Sequence, residues 1–201
     1  MAYSSWLTPS KLSGSGNDTV NVSANANNTG RNSRSTSITF SAPNCDDVVR
    51  TVVQAGKAET TTIQATATAT KAGGTVTISG TSNSSKLTFS LGTGDLSITL
   101  PTKYTAAGVQ TNNGAAISGD PGATQEFAFS IAFTVGENTS IASLSKQIIV
   151  TDNGGATATC TLTQAAGDAY LTVTPTSVEI PWDASESKSF TVSSNTNWTI
   201  S

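Results

Sequence analysis

The sequence predicts an all-β chain of tandem antiparallel β-sandwiches. Three observations support this: segments that alternate apolar and polar residues, Gly-, Asn- and Asp-rich turns between them, and a motif repeated at domain spacing. Charged residues make up only 11% of the 201 residues and hydrophobic residues 36%, and Thr, Ser, Ala, Asn and Gly fill the difference. Thr and Val are stiff at χ1 and suit pleated surfaces, so this composition disfavours helices.

The repeated motif marks the ends of two modules. Residues 51–56 read T-V-V-Q-A-G and residues 161–167 read T-L-T-Q-A-A-G, with the two glutamines at positions 54 and 164. We call the offset between these two positions the module offset. It is too long for a solenoid repeat and suits a sandwich domain. We therefore predict three modules, at residues 1–57, 58–167 and 168–201.

The first module holds only four strand candidates, fewer than the roughly seven of a closed sandwich. Each alternates apolar with polar residues, which is the half-buried antiparallel pattern. The candidates are Trp6–Thr8, Thr19–Ala24, Ser35–Ser41 and Asp47–Gln54. We therefore expect a sandwich module that lacks its early strands.

The second module has enough strands to close a sandwich. Turn signals such as K-A-G-G, G-T-G-D and D-N-G-G separate the segments. The candidates are Thr60–Thr70, Thr75–Ser79, Lys86–Leu91, Asp95–Leu100, Gln125–Val135, Lys146–Thr151 and Ala156–Gln164. The stretch from Pro101 to Gly122 is expected to be the longest irregular segment, either a solvated loop or a binding loop.

The third module holds the first strands of a further sandwich. Its candidates are Tyr170–Thr174, Ser177–Pro181, Lys188–Ser194 and Trp198–Ile200. Three strands and the start of a fourth cannot bury a core by themselves. Two explanations stay open: the protein continues beyond Ser201, or these strands complete a first module, in the same chain or in the next copy by strand exchange.

The third and first modules resemble successive parts of one family. L-T-V-T-P-T-S-V-E-I-P and S-K-S-F-T-V-S-S-N-T-N-W-T-I-S are similar to the opening of a BACON domain, which pairs an early strand ending in T-P with a later N-x-x-W. W-L-T-P-S, V-N-V-S-A-N-A-N and V-V-Q-A-G of the first module resemble the remainder. The second module shares only the Q-A-A-G ending. The resemblance implies immunoglobulin-like sandwiches of the kind frequent in Bacteroidota surface proteins and in phages of gut Bacteroidota, including crAss-like phages.

The sequence lacks the usual residues of catalysis. It contains no His, the commonest general base, so a Ser/His/Asp set cannot form, and no Cys/His metal pattern is present. Cys45 and Cys160 lie in different modules, and we expect no disulfide between them. Asp46 and Asp47 are interpreted as part of a turn, with Ca²⁺ ligation as the alternative. We therefore expect no enzyme activity, no cofactor and no metal centre.

Exposed aromatic rings are the best candidates for binding, since sugars stack on rings through their apolar C–H faces. Trp182 follows a proline at a turn, and we expect it to contact either a neighbouring module or a ligand. Tyr3 and Tyr104 are weaker candidates for the same roles. By contrast, Trp6 and Trp198 belong to the strand motifs and are expected in sandwich cores.

Two arginines in the first module are candidates for polar contacts. Arg31 and Arg34 lie in the Gly/Asn-rich stretch N-N-T-G-R-N-S-R, which is predicted to be a turn. We expect them to be solvated or to contact another subunit.

The function most consistent with these observations is structural or adhesive. A net charge of −3 gives no attraction to nucleic acid or to an anionic membrane. No apolar run is long enough to predict a membrane span, and M-A-Y-S-S-W-L-T-P-S carries no secretion signal. We therefore expect a non-catalytic phage virion component, such as a capsid decoration, head fibre or tail part, with weak glycan or mucin binding. The alternative is a piece of a Bacteroidota cell-surface protein whose modules act as spacers or glycan-binding domains. Expected partners are other virion or surface proteins, further copies of the chain, and host or mucin glycans.

Overall fold

The computed structural model describes residues 3–201 as fifteen β-strands and one short 3₁₀ helix, Pro121–Ala123. The strands are β1 Leu7–Pro9, β2 Val22–Ala24, β3 Arg34–Phe40, β4 Val48–Gln54, β5 Thr61–Ile63, β6 Thr66–Ala69, β7 Gly74–Ser82, β8 Leu87–Leu91, β9 Lys103–Ala106, β10 Val109–Asn112, β11 Phe127–Val135, β12 Leu144–Asp152, β13 Thr157–Gln164, β14 Leu171–Thr174 and β15 Thr191–Ser194. Within residues 3–201 no helix is long and apolar enough to cross a membrane.

The strands from β5 to β13 form a central sandwich of two sheets. One sheet has the order β10-β9-β11-β7-β5 and the other β6-β13-β12-β8. Neighbours are antiparallel except β6 and β13, which are parallel. The order β5-β7-β11-β9 matches the A-B-E-D sheet of an immunoglobulin-like fold, and the order β8-β12-β13 matches its C-F-G sheet. The prediction of an all-β, antiparallel sandwich fold is confirmed.

The hydrophobic core lies between the two central sheets. Seventeen buried residues form it, all between Val76 and Leu162. Phe89 packs against Tyr104 and Phe129 with ring centroids 5.0 and 5.7 Å apart, in the tilted and edge-on geometries that aromatic pairs prefer. Residues 3–57 and 168–201 contribute nothing to this core.

The two flanking segments form only two-stranded sheets. β1 pairs with β2 and β3 with β4 in residues 3–57, which we call the N-terminal segment, and β14 pairs with β15 in residues 168–201, the C-terminal segment. No hydrophobic residue of the C-terminal segment is buried. Among residues 3–201, seventeen large hydrophobic residues are exposed, and only three of them, Leu91, Val109 and Ile141, belong to residues 58–167. The N-terminal segment buries Leu7 and Ile38, but the rest of its apolar residues and those of the C-terminal segment lack a covering layer.

Several strand predictions were wrong in detail. The single strand expected at Thr60–Thr70 is divided into β5 and β6, which lie in different sheets. Asp95–Leu100 forms only an isolated bridge between Ile98 and Val135. Ser177–Pro181 and Trp198–Ile200 are not strands in this structure.

The stretch expected to be an irregular loop contains a hairpin instead. β9 and β10 pair across a two-residue turn, Ala107–Gly108, in which both residues have positive φ, 48° and 80°. Two positive φ values are typical of a type I′ turn. The sequence T-A-A-G lacks the Asn-Gly signal of such turns, so alternation alone did not reveal it.

Candidate functional site

In the N-terminal segment and in the central sandwich, the glutamine of the repeated Q-A-G ending binds a loop to the last strand. We call this contact a clamp. The Gln164 side-chain amide is buried and donates to the Gly136 carbonyl at 2.7 Å. Gln54 donates to the Ala26 carbonyl at 3.0 Å. Positions 26 and 136 are separated by the module offset, as are 54 and 164. The repeated glutamine is therefore explained as the hydrogen-bond partner of a loop carbonyl.

A second clamp repeats with the same spacing. Asn28 Nδ2 donates to the Ala55 carbonyl at 3.1 Å, and Asn138 Nδ2 donates to the Ala165 carbonyl at 3.0 Å. Each asparagine also donates to the carbonyl four residues later, at 2.7 and 2.9 Å respectively. The loops before β3 and before β12 therefore share one construction.

The joint between the N-terminal segment and the central sandwich is centred on Asn83, a buried residue directly after β7. Its Oδ1 accepts from the Thr60 amide at 2.7 Å. Its Nδ2 donates to the carbonyls of Ala58 at 3.1 Å and Thr29 at 3.3 Å. One side chain thus binds the N-terminal segment, the central sandwich and the peptide that connects them.

The joint between the central sandwich and the C-terminal segment has the same arrangement around Asn195, directly after β15. Its Oδ1 accepts from the Tyr170 amide at 3.0 Å. Its Nδ2 donates to the carbonyls of Asp168 at 2.9 Å and Thr139 at 3.2 Å. The module offset separates the partner positions 60 and 170, 58 and 168, and 29 and 139. The two joints are therefore copies of one design.

Arg31 belongs to the first joint. Its guanidinium forms an ion pair with Asp120, and its Nε donates to the Asn83 carbonyl at 2.6 Å. Arg31 was expected to be solvated or in contact with another subunit. Within this chain it binds the central sandwich.

A second ion pair and a close backbone approach complete the first joint. Lys57 donates to Glu126 at 2.6 Å, and this hydrogen bond holds the pKa of the Glu126 carboxyl below its usual range. Gly30 leaves no room for a side chain, because a Cβ there would lie 2.3 Å from the Thr124 carbonyl carbon. The second joint has one ion pair, Lys71–Asp168. The first joint is accordingly the more extensive of the two.

Arg34 lies in β3, although the sequence predicted a turn. Its Nε donates to Gln54 Oε1 at 2.8 Å, and its guanidinium carbon is 4.9 Å from the centre of the Trp6 ring. Such a cation–π contact stabilises by about 0.5–1 kcal/mol at exposed sites. Arg34 therefore supports the Gln54 clamp. Trp6 is half-buried beneath it and lies outside the hydrophobic core, although it was expected to pack in a sandwich core.

The candidate aromatic residues have very different environments. Trp182 is 99% exposed, in the loop between β14 and β15. Tyr104 is 1% exposed and lies in the core, so as placed it offers no surface to a ligand or a neighbouring module. Trp198 is about half-exposed rather than in a core, because its segment has no covering sheet. Of these candidates only Trp182 presents a free ring, and a binding role for it stays a prediction.

A groove of about 390 Å³ lies over the apolar face of the N-terminal segment. Tyr3, half-buried, lines it together with Leu12 and with Ile38 and Phe40 of β3. The groove is therefore the space above β3 that an opposing sheet fills in a closed sandwich.

Sequence reasoning missed a pair of carboxylates, Glu59 and Asp152. Each has one buried oxygen without a hydrogen-bond partner among the described residues. Both carboxylates lie beside Gly154, because a Cβ added there would be 3.1 Å from Glu59 Oε2 and 3.4 Å from Asp152 Oδ1. The pair does not line the groove described above. Within residues 3–201 no three His, Cys, Asp or Glu side chains form a metal-binding group.

The two cysteines are free thiols, as expected. Cys45 is exposed in the turn before β4, and Cys160 is buried in the central core. Burial raises the pKa of the Cys160 thiol, which keeps it protonated and unreactive.

Comparison with known proteins relates the N-terminal segment to a family. Residues 1–55 match the model of the BACON family, described as "Putative binding domain, N-terminal", which confirms the resemblance found in the sequence. No curated protein matches the chain. Among solved structures, an endo-fucoidan hydrolase of glycoside hydrolase family 107 is similar at 12% identity with a TM-score of 0.33, over 84% of this chain and 23% of that one. The chain thus spans less than a quarter of the hydrolase, and so weak a likeness carries no argument about function.

Proposed function

We propose, from the premise that residues 1–55 match the BACON family, that the chain is a non-catalytic structural and adhesive protein. The observation that carries this proposal is the repetition of one asparagine-centred joint at residues 83 and 195. Two joints that share an asparagine-centred arrangement of hydrogen bonds would fix successive modules in a defined relation, which suits a protein that acts as a spacer and a display scaffold. Such a scaffold needs no catalytic group.

Glycan binding is the adhesive part of the proposal, and Trp182 supports it. Its ring is almost completely exposed, whereas large aromatic side chains usually bury about 150–250 Å². A sugar ring that stacks on its face removes apolar surface of both partners from water. The contact is a single ring without a preformed pocket, so we expect weak binding that becomes effective only when many copies are displayed together.

The setting we propose is the surface of a phage virion, as a capsid decoration, head fibre or tail component. The alternative is the surface of a Bacteroidota cell, with the modules as spacers or glycan-binding domains of a longer protein. Mass spectrometry separates the two. Peptides of this chain should be found in density-purified virions, and their recovery only in the outer-membrane fraction of uninfected cells would favour the alternative.

The glycan proposal is tested by retention on immobilised mucin or polysaccharide. Trp182→Ala should reduce retention at least about tenfold, equivalent to about 1.4 kcal/mol. Ile180→Ala removes a neighbouring exposed apolar side chain without removing a ring and should change little. If Trp182→Ala is retained as strongly as the unmodified protein, Trp182 is not the platform.

A further inference from the structure

We propose that a calcium ion binds between Glu59 and Asp152, beside the first joint, and ties the connecting peptide to the turn between β12 and β13. The site goes beyond the proposed function and does not depend on glycan binding. The sequence predicted no metal centre, because the two carboxylates lie far apart in the chain and belong to no metal-binding motif. The fold brings them together.

Glu59 lies in the connecting peptide, where the first joint fixes the backbone on both sides of it. The preceding carbonyl, of Ala58, accepts from Asn83 Nδ2 at 3.1 Å, and the following amide, of Thr60, donates to Asn83 Oδ1 at 2.7 Å. Glu59 is therefore held between two hydrogen bonds to one buried side chain. One oxygen of its carboxylate, Oε1, is buried and has no hydrogen-bond partner among the described residues.

Asp152 is the last residue of β12, and only 4% of its surface is exposed. Its Oδ1 accepts from the Ala156 amide at 2.8 Å, across the turn that follows. Its Oδ2 is buried and has no partner within residues 3–201. Buried polar atoms are nearly always paired, and leaving a charged group unpaired costs more than leaving a neutral one. An unpaired carboxylate oxygen at this depth therefore indicates a partner that the polypeptide does not supply.

The two carboxylates flank the same glycine, Gly154, at 3.1 and 3.4 Å from the point where a Cβ would stand. The turn that contains this glycine is anchored at the joint, because the Asn153 amide donates to Ser84 Oγ at 3.0 Å and Ser84 directly follows Asn83. Two negative charges are thereby held close together. Like charges at such a site repel each other, so the arrangement favours a positive charge that both can bind.

No basic side chain of the described residues supplies that charge. Five ion pairs form among residues 3–201, and neither carboxylate takes part in any of them. Lys86 precedes Leu87, the strand partner of Asp152, but it belongs to none of the five pairs either. A bound cation is therefore the partner that fits.

The available ligands favour calcium. Ca²⁺ takes about six to eight oxygens at about 2.3–2.6 Å, from carboxylates, backbone carbonyls and water, in a flexible geometry. Besides the two carboxylates, the glycine-rich turn offers the carbonyls of Asn153 and Gly154, which accept no hydrogen bond from the described part of the chain. Mg²⁺ demands a nearly ideal octahedron, and Zn²⁺ is usually held by His and Cys side chains, so neither suits this site as well.

The small number of charged ligands sets the expected affinity. No third His, Cys, Asp or Glu within residues 3–201 joins the two carboxylates. Water and backbone carbonyls must then complete the coordination, and calcium affinity falls as the number of charged ligands falls. We therefore expect a Kd of about 0.1–1 mM, which is the range of calcium sites in extracellular modules.

The repeated architecture shows that the joint itself does not need these carboxylates. One module offset after Glu59 the second joint has Ala169, and one module offset before Asp152 the turn between β3 and β4 has Ala42. The second joint nevertheless has the same asparagine-centred hydrogen bonds, and β3 pairs with β4 in the same register as β12 with β13. The two carboxylates are an addition at the first joint, and cation binding gives them a role that folding does not.

A calcium ion bound by both residues stiffens the first joint. Glu59 belongs to the peptide that carries the N-terminal segment, and Asp152 belongs to the strand pair β12–β13 of the central sandwich. The ion links the two by a contact that the second joint cannot form, since Ala169 has no carboxylate. Calcium therefore acts on one joint and leaves the other unchanged.

A titration with CaCl₂, followed by the NMR chemical shifts of backbone amides, tests the proposal. The chain is first treated with a chelator, and the titration is run in about 150 mM NaCl, which screens non-specific attraction of cations to the surface. Amides at 58–60 and 152–156 should shift saturably with a Kd of about 0.1–1 mM. MgCl₂ should bind at least about tenfold more weakly, because the site does not impose octahedral geometry.

Conservative variants identify the ligands. Glu59→Gln and Asp152→Asn each remove one charge and keep the shape of the side chain, and each should weaken calcium binding at least about tenfold. Glu137→Gln is the matched control, because it removes an exposed carboxylate in the loop after β11, and it should bind calcium like the unmodified chain. Without calcium, the side-chain amide of Asn83 should have the same chemical shift in Glu137→Gln and in the unmodified chain, and melting transitions should show that all four proteins are folded.

Three results would overturn the proposal. The first is the absence of any saturable shift at 58–60 and 152–156 up to about 10 mM CaCl₂, well above the expected Kd. The second is equal affinity for MgCl₂. The third is unchanged calcium affinity in the folded Glu59→Gln and Asp152→Asn variants.

Discussion

Two strand pairs of this protein have the same register and very different surroundings. β12–β13 lies in the central sandwich, where Ile148 and Val150 are fully buried against the opposite sheet. β3–β4 repeats that pairing one module offset earlier in the chain, but there Ile38 is buried while Phe40 lies half-exposed beside an open groove. The difference shows that local pairing and capping are encoded within each segment, whereas burial of the whole face depends on a second layer that covers only part of the N-terminal segment.

The clamps explain how β3–β4 keeps its shape without that layer. Its ends are held by the Asn28 and Gln54 side chains, and its base is fixed to the central sandwich through Arg31. Backbone pairing and these polar contacts hold the strands in position, although an isolated two-stranded sheet is at best marginally stable. The segment is therefore held in place by its polar contacts with neighbouring residues rather than by a complete core.

The largest expected difference between the two pairs concerns core truncation. Ile148→Ala should lower the free energy of unfolding of the central sandwich by about 2–5 kcal/mol, as expected for a fully buried aliphatic side chain. Phe40→Ala removes more atoms, but in the dilute monomer it should cost under about 1 kcal/mol because its ring is already half in water. Urea denaturation at micromolar concentration measures both. Equal losses would contradict the view that only one of these faces is a core.

These regions also show which structural features could be predicted from the sequence alone. The alternation in S-T-S-I-T-F and the Q-A-G ending were enough to predict β3 and β4, because both signals are local. The division of Thr60–Thr70 between two sheets was not predictable in that way, since it is set by which neighbours are free to pair. Tyr104 was misjudged for the same reason: K-Y-T-A alternates only briefly, and its burial depends on Phe89 in a distant strand.

The joints had a signal in the sequence that periodicity did not detect. T-S-N-S at 81–84 and S-S-N-T at 193–196 place an asparagine after a serine at the end of equivalent strands. Positions 83 and 195 are two residues further apart than the module offset, so only a search for short polar motifs that allows such a shift would have found both. Their function as joints needed the structure, because the carbonyls of Thr29 and Thr139 come from a different module.

The two glutamine clamps should contribute different amounts to stability, because their side chains are buried to different extents. Gln164→Ala removes a fully buried side chain together with its hydrogen bond to the Gly136 carbonyl, so we expect a loss of about 1–3 kcal/mol in the stability of the central sandwich. Gln54→Ala should cost about 1 kcal/mol or less, because its site is only half-buried and water can replace the amide. Chemical denaturation compares the two. A larger effect at Gln54 would be inconsistent with this comparison.

The smallest expected effect is a pH dependence of the first joint. The pKa of Glu126 is depressed by its hydrogen bond from Lys57, so the ion pair stabilises the joint above the ordinary carboxyl pKa of 4.5. That contribution is lost as the pH falls through the lowered pKa of the folded state. Because both side chains are partly exposed, it should be under about 1 kcal/mol.

The amide of Lys57 reports on this ion pair, since it belongs to the partner of Glu126 and donates to the Gly30 carbonyl within the joint. Its NMR chemical shift should change as the pH is lowered from about 6 to about 3. In Glu126→Gln the same titration should be flat. A titration that persists unchanged in the variant would assign the effect to another group.

The most direct test of the central claim is hydrogen exchange of β4 compared with β13. β4 lies in a two-stranded sheet and is mostly exposed, whereas β13 is paired on both sides and carries the fully buried Cys160 and Leu162. Amides at 48–54 should therefore exchange faster than amides at 158–164. Equal protection of the two strands would contradict the account.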